Sequence, residues 1–154
     1  MMNWLYRLAD QARHHARVRF WSPTEAAGRR GEDLAHRLLQ RMGFSVVARN
    51  YRTHDRPGEI DIIAWDGDTL VFAEVKSLTS AEFSAPERAI GMDKLRSMFE
   101  TAAVYCRRAG VEWDRVRFDT LSVLLTDPIE ITLARDAFHP RRLGSAGKRG
   151  PMPA

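Results

Sequence analysis

The sequence has one cysteine, Cys106, so no disulfide can form within the chain and no cysteine-rich zinc site can be built. No apolar run exceeds a few residues, which excludes a membrane-spanning helix. The first 22 residues carry Arg7, Arg13, Arg17 and Arg19 but no apolar core segment, so they do not read as a secretory signal. A cytoplasmic location is the resulting expectation. Histidine offers no metal site either. His14 and His15 are adjacent and point to different sides of a helix, while His36 and His54 have no ligand spacing.

What is present fits one globular domain with tails: 154 residues, 44% of them hydrophobic. The net charge of +4 is unevenly spread. Residues 141–154 carry +4 and residues 1–22 carry +3, which leaves residues 23–140 at −3. Basic flanks gain affinity for a polyanion by releasing its counterions, and they also serve solubility, so charge alone leaves both readings open. Residues 1–22 are expected to form a basic extension, helical through Leu5, Leu8, Ala12 and Ala16. Residues 23–140 form the domain, and residues 141–154, rich in Gly, Pro and Arg/Lys, a disordered tail.

Within the body, Ala35, Leu38, Leu39 and Met42 repeat at helical spacing over Thr24 to Met42, with Gly43 as the stop. Phe44 to Tyr51 reads as a strand, followed by a loop at Pro57-Gly58. Two further strands, Glu59 to Trp65 and Thr69 to Lys76, flank Asp66-Gly67-Asp68, a hairpin signal. A helix over Pro86 to Ala109 buries Ala89, Leu95, Met98, Phe99, Ala102, Ala103 and Cys106. Strands over Arg117 to Leu125 and Ile129 to Leu133 complete an α-β-β-β-α-β-β order, an α/β domain with a mixed sheet flanked by helices.

The hairpin carries the chemistry. Alternation puts Glu59, Asp61 and Ile63 on one face of the first arm and Phe72, Glu74 and Lys76 on one face of the second. Either two-residue turn brings Asp61, Glu74 and Lys76 to one surface, whereas a one-residue slip without a bulge would separate them. Two carboxylates ~4 Å apart repel by about 4 kcal/mol at an effective dielectric of ~20, so the pair calls for a proton or a cation. Mg²⁺ or Mn²⁺ on Asp61 and Glu74 would suit phosphodiester hydrolysis, polarising a phosphoryl oxygen and supplying hydroxide. Lys76 would then orient the attacking water or offset the charge that develops. The plainer reading is a solvated set of charges, but both arms are otherwise apolar, and charges inside such runs are locally costly.

The segments Gly58-Glu59-Ile60-Asp61-Ile62-Ile63-Ala64 and Phe72-Ala73-Glu74-Val75-Lys76 resemble the bacterial YraN-like protein family. That family is in turn similar to the restriction-endonuclease-like, PD-(D/E)xK nucleases, including archaeal Holliday junction resolvases. The resemblance spans about residues 28–138 and takes in Gly31-Glu32-Asp33-Leu34-Ala35, Arg49-Asn50-Tyr51-Arg52, Lys94, Arg117-Phe118-Asp119 and Ala137-Phe138. It implies a restriction-endonuclease-like fold and metal-dependent cleavage of nucleic acid, with DNA, branched or damaged forms included, as the expected substrate. Asp61 matches the metal-binding Asp, Glu74 and Lys76 the (D/E)xK pair, and Glu32 the first-helix acid that completes such metal sites. The chain departs at Ile60, where the superfamily name has Pro, and at Ser77-Leu78, where many relatives carry a basic residue.

Glu32 borders the core-facing stripe of its helix and could reach the sheet, or it could be a favourable charge in the first helical turn. Lys94 could add positive charge over the site or be a solvated lysine. Trp65 and Trp113 could stack on a base or be partly buried in the core. Cys106 lies on an apolar face and reads as an inert thiol. Three function classes compete: a nuclease acting on DNA, a non-catalytic nucleic-acid-binding or assembly module, and a peripheral membrane protein using residues 1–22. A single site per chain would make a homodimer useful for cutting two strands.

Overall fold

Ser22 and Pro23 explain where the long helix begins. In the computed structural model, which describes residues 4–79 and 91–139, Ser22 Oγ accepts from the Glu25 N–H and the Glu25 carboxylate accepts from the Ser22 N–H. Pro23 fits the first turn because its missing N–H would have no helical partner there. The helix α2 (Pro23–Arg41) ends before Gly43, whose φ of +90° suits a residue without a Cβ. Leu34, Ala35 and Leu39 are buried on it. Met42, expected on that face, is exposed because it caps the helix rather than completing a turn. A shorter helix, α1 (Trp4–Arg17), precedes α2.

Strands β1 (Ser45–Thr53), β2 (Arg56–Asp66) and β3 (Thr69–Leu78) form an antiparallel meander. Helix α3 (Met92–Ala109) then carries the chain back so that β4 (Val116–Leu124) runs parallel to β3, as a helical crossover permits. Strand β5 (Glu130–Phe138) closes the edge antiparallel to β4, giving the order β1-β2-β3-β4-β5. The sheet has two apolar faces. One packs Ile62, Ala64, Val71, Ala73, Leu121 and Val123 under α2, and the other packs Ile60, Ile63, Phe72 and Phe118 under Met98, Ala102 and Cys106 of α3. This is the expected α/β architecture, a mixed sheet flanked by helices, consistent with a restriction-endonuclease-like fold.

Some boundaries differ from the sequence reading. Pro57 and Gly58 belong to β2 rather than a loop, at a register shift where neither needs a ladder partner. Gly58 lies against α3, where a Cβ would sit 2.7 Å from the Ser97 carbonyl oxygen. The described part of the second long helix begins at Met92 behind an extended Gly91, and the expected start at Pro86 and the inner residue Ala89 lie outside the described residues. The tail at 141–154 also lies outside them. Strand β5 extends five residues past Leu133, because a bulge opposite Phe118–Thr120 breaks its apolar pattern while pairing resumes at Phe138.

Gly31 is where α2 crosses β3. A Cβ there would collide with the Ser77 side chain. Gly31→Val is therefore expected to cost about 1–3 kcal/mol, read as a lower urea midpoint. An unchanged midpoint would show that the crossing is loose.

Candidate active site

The β2–β3 ladder runs from Asp66↔Thr69 to Ile62↔Ala73 around Gly67 and Asp68, so residue i faces residue 135 − i. One step further that register would set Asp61 opposite Glu74, but the ladder stops. Instead Asp61 Oδ2 accepts from the Val75 N–H at 2.8 Å, so a side chain takes over a ladder position. The backbone is irregular on both sides of Asp61. Its neighbour across β1 is Asn50, which holds φ +50°, in the left-handed region that Asn tolerates better than most residues. Ile60 and Ile63 both pack on the α3 face while Ile62 packs on the α2 face, so the alternation slips by one residue at Asp61. The expectation that Glu59, Asp61 and Ile63 share a face is thereby corrected. Asp61 sits at the slip, where the strands part.

Glu74 is on the α3 side and is 2% exposed. Its Oε1 accepts from the Lys94 ammonium in the first turn of α3, and its Oε2 is buried without a hydrogen-bond partner. A buried carboxylate oxygen left in that state is costly unless something else satisfies it. Burial, then the Glu74 charge, push the Asp61 carboxyl up to about 8, with Glu32 adding to the rise and the Val75 N–H and Lys94 opposing it. Burial disfavours the Lys94 ammonium, but the Glu74 contact outweighs it and raises that group above its ordinary range.

Lys76 follows Glu74 by two residues on β3, half-buried and on the same side, because β3 pairs with β4 without a break from Leu70 to Leu78. Glu32 is in the middle of α2 rather than in its first turn, which removes the end-of-helix explanation for its charge. Its Oε2 lies 3.4 Å from Arg49 Nη2, while Arg49 Nη1 donates to Asp33 at 2.8 Å. Among the described residues, no three His, Cys, Asp or Glu side chains converge on one point. The structure thus brings Asp61 and Glu74 together, adds Lys94, and holds Glu32 aside on Arg49.

A cleft of about 240 Å³ opens beside the site, lined by Trp21, Glu25, Gly28, Arg29, Glu32, Asn50 and Glu59. The Arg29 guanidinium lies 4.5 Å from the centre of the Trp21 ring. Arg29 in the lining, and Arg49 and Arg52 paired with Glu32 and Glu59, offset the three carboxylates of this cleft.

Residues 31–123, the stretch that holds Glu32 and both arms of the hairpin, match the model described as "Uncharacterised protein family UPF0102". A UPF0102 protein of Solibacter usitatus is 47% identical over 138 residues, covering 90% of this chain and all of the relative. One from Rhodococcus jostii is 40% identical over 116 residues, 73% of this chain and 96% of the relative. The chain belongs to the UPF0102 family. The matched UPF0102 region contains Glu32, Asp61, Glu74, Lys76 and Lys94, and it leaves out α1.

Two features of this UPF0102 site were not legible as such. In sequence Lys94 could lie over the site or be a solvated lysine, and the 17 residues between it and Lys76 leave its contact with Glu74 unspecified. Asn50 gave one weak signal, its tolerance of positive φ, inside a run that otherwise alternates as a strand. Cys106 is buried, and burial pushes its thiol up to about 11, as an inert thiol requires. Trp65 is partly buried against the α3 cluster, while Trp113 is 41% exposed beside Phe118.

Proposed function

We propose that this protein is a nuclease that hydrolyses phosphodiester bonds in DNA with Mg²⁺ or Mn²⁺ held by Asp61 and Glu74. The observation that carries the reading is the buried, unpartnered Glu74 Oε2 beside a second carboxyl that burial and charge push up to about 8. Two hard oxygen donors in need of positive charge are the donor set those ions take. Glu32 is the next carboxylate whose charge acts on Asp61, and on release from Arg49 it would complete the ligand set. When bound, the ion polarises a phosphoryl oxygen and makes water a better nucleophile at neutral pH. Lys76 positions that water or offsets the charge on the phosphoryl oxygens. Lys94 holds Glu74 in place and neutralises it when no ion is there.

A second reading has one observation in its favour. Because Lys94 already neutralises Glu74, the fold can keep this pair without a metal, as a non-catalytic nucleic-acid-binding or assembly module would. Incubation with branched, nicked and single-stranded DNA and either ion separates the two. Cleavage is expected from the parent, with Lys76→Ala slower by about 10²–10³-fold and Glu74→Ala inactive. Salt-sensitive DNA binding without cleavage, persisting in Glu74→Ala, would assign the binding module instead.

A further inference from the structure

Helix α1 is amphipathic in the inverted sense. Its inward side is polar. Asp10 is 1% exposed and accepts from Arg30 Nε at 3.1 Å, Arg17 donates to Asp33 at 2.5 Å, and the Tyr6 hydroxyl donates to the Asp33 carbonyl. Burial opposes ionisation of Asp33, yet the Arg17 and Arg49 hydrogen bonds outweigh it and hold its carboxyl below the ordinary range. These ionic contacts fix which way the helix faces.

The outward side is apolar. Trp4, Leu5 and Leu8 are 66%, 57% and 55% exposed, and at 100° per residue they form one stripe with Ala12 and Ala16, broken by the exposed His15. Phe20, 83% exposed just beyond the helix, adds a large ring to the exposed apolar surface of this segment. Water-facing leucines and aromatics on a helix pinned by its polar side mark a surface built to be covered.

Charge chooses the occupant. Arg7 and Arg13 lie at the two borders of the stripe by the same angular count, Arg13 also 3.8 Å from Asp33, and Arg19 lies next to Phe20. Asp10 is the only acid before Glu25, and Arg30 neutralises it within the fold. Apart from Gln11, His15, Ser22 and Thr24, the exposed part of residues 4–24 is therefore apolar and cationic, with no acid. A second copy of α1 would set these arginines against each other. A nucleic acid would satisfy the arginines and leave the leucines wet. A bilayer with anionic headgroups satisfies both. No helix among the described residues is long and apolar enough to cross a membrane, and lying in the interface requires none.

We propose that α1 and the segment to Trp21 dock the protein in the plane of an anionic lipid surface. The test is flotation of the full chain with phosphatidylcholine vesicles, with and without phosphatidylglycerol, alongside Trp4→Ser/Leu8→Ser and Arg7→Glu/Arg19→Glu. Binding to the phosphatidylglycerol vesicles alone is expected, falling roughly tenfold or more in either double variant while the thermal melt stays unchanged. Loss in the arginine variant but not in the apolar one would overturn the proposal, because simple charge attraction would then explain the binding. It would also be overturned by absence of parent binding, by a dimer lost in Trp4→Ser/Leu8→Ser without vesicle binding, or by loss of DNA binding there without vesicle binding.

Discussion

Asp61→Asn is expected to make the metal-free protein more stable than the parent at pH 8 and to flatten its pH dependence. An unfolded aspartate titrates near ~3.9, whereas in the fold burial and Glu74 push Asp61 up to about 8. Between those values the folded chain holds a proton that the unfolded chain has released. Stability must then fall as pH rises across that window, being fullest below about 4 and lost through about 8. Asparagine cannot ionise, so the parent should lose on the order of a few kcal/mol that the variant keeps. Lys94→Met should act in the opposite direction, since it removes the ammonium that favours ionised Asp61. Urea melts from pH 4 to pH 9 with a chelator present measure both effects. Parallel curves for parent and Asp61→Asn would show that Asp61 titrates as an ordinary carboxylate.

Arg117→Ala is expected to be the most damaging single change away from the site. Asp119 is fully buried at the β4–β5 bulge, where it accepts from Arg117 Nε and Nη2 at 2.8 and 2.9 Å and from the Asp136 N–H at 3.0 Å. Arg117 also donates to Asp66 at 2.8 Å, which ties β4 to the end of β2. Removing the guanidinium leaves a buried carboxylate with one backbone donor, a loss of about 3–5 kcal/mol. Arg117→Met/Asp119→Leu, which removes both charges together, should recover part of it. Thermal melts decide: a single-variant loss under ~1 kcal/mol would mean that water already reaches the pair.

Asp61 and Asp119 illustrate what the sequence could and could not convey. Each carboxylate accepts a backbone N–H where pairing is interrupted, so the apolar alternation on either side marks the strand but not the break. The hairpin register followed from Gly67 and Asp68 because turn chemistry is local. The slip at Asp61 did not, since what accompanies it is the positive φ of Asn50, eleven residues earlier in the chain. Helix α2 announced itself through its periodicity and its stop at Gly43, yet the exposure of Met42 followed only from where the cap falls. The pairing of Asp61 with Glu74 was legible as two costly charges in apolar arms. The partner of Glu74 was not, because Lys94 arrives from a helix whose docking no local pattern specifies.

Helix α1 turns its apolar side to solvent. Its apolar spacing was visible in Leu5, Leu8, Ala12 and Ala16, and such spacing ordinarily marks the side turned to the core. Here the buried pair Asp10–Arg30 and the contact of Arg17 with Asp33 turn the polar side inward. Periodicity identified the helix, and only the ion pairs revealed its orientation.

In the proposed function Asp61 and Glu74 together hold a divalent cation. Calorimetric titration of Mn²⁺ into the parent and into Asp61→Ala/Glu74→Ala tests it most directly, run at pH 7 in two buffers of different ionisation enthalpy. The parent is expected to bind with release of a proton, because burial and the Glu74 charge keep Asp61 largely protonated at that pH, and the double variant is expected not to bind. Equal binding by both proteins, or none by either with and without DNA, would contradict it.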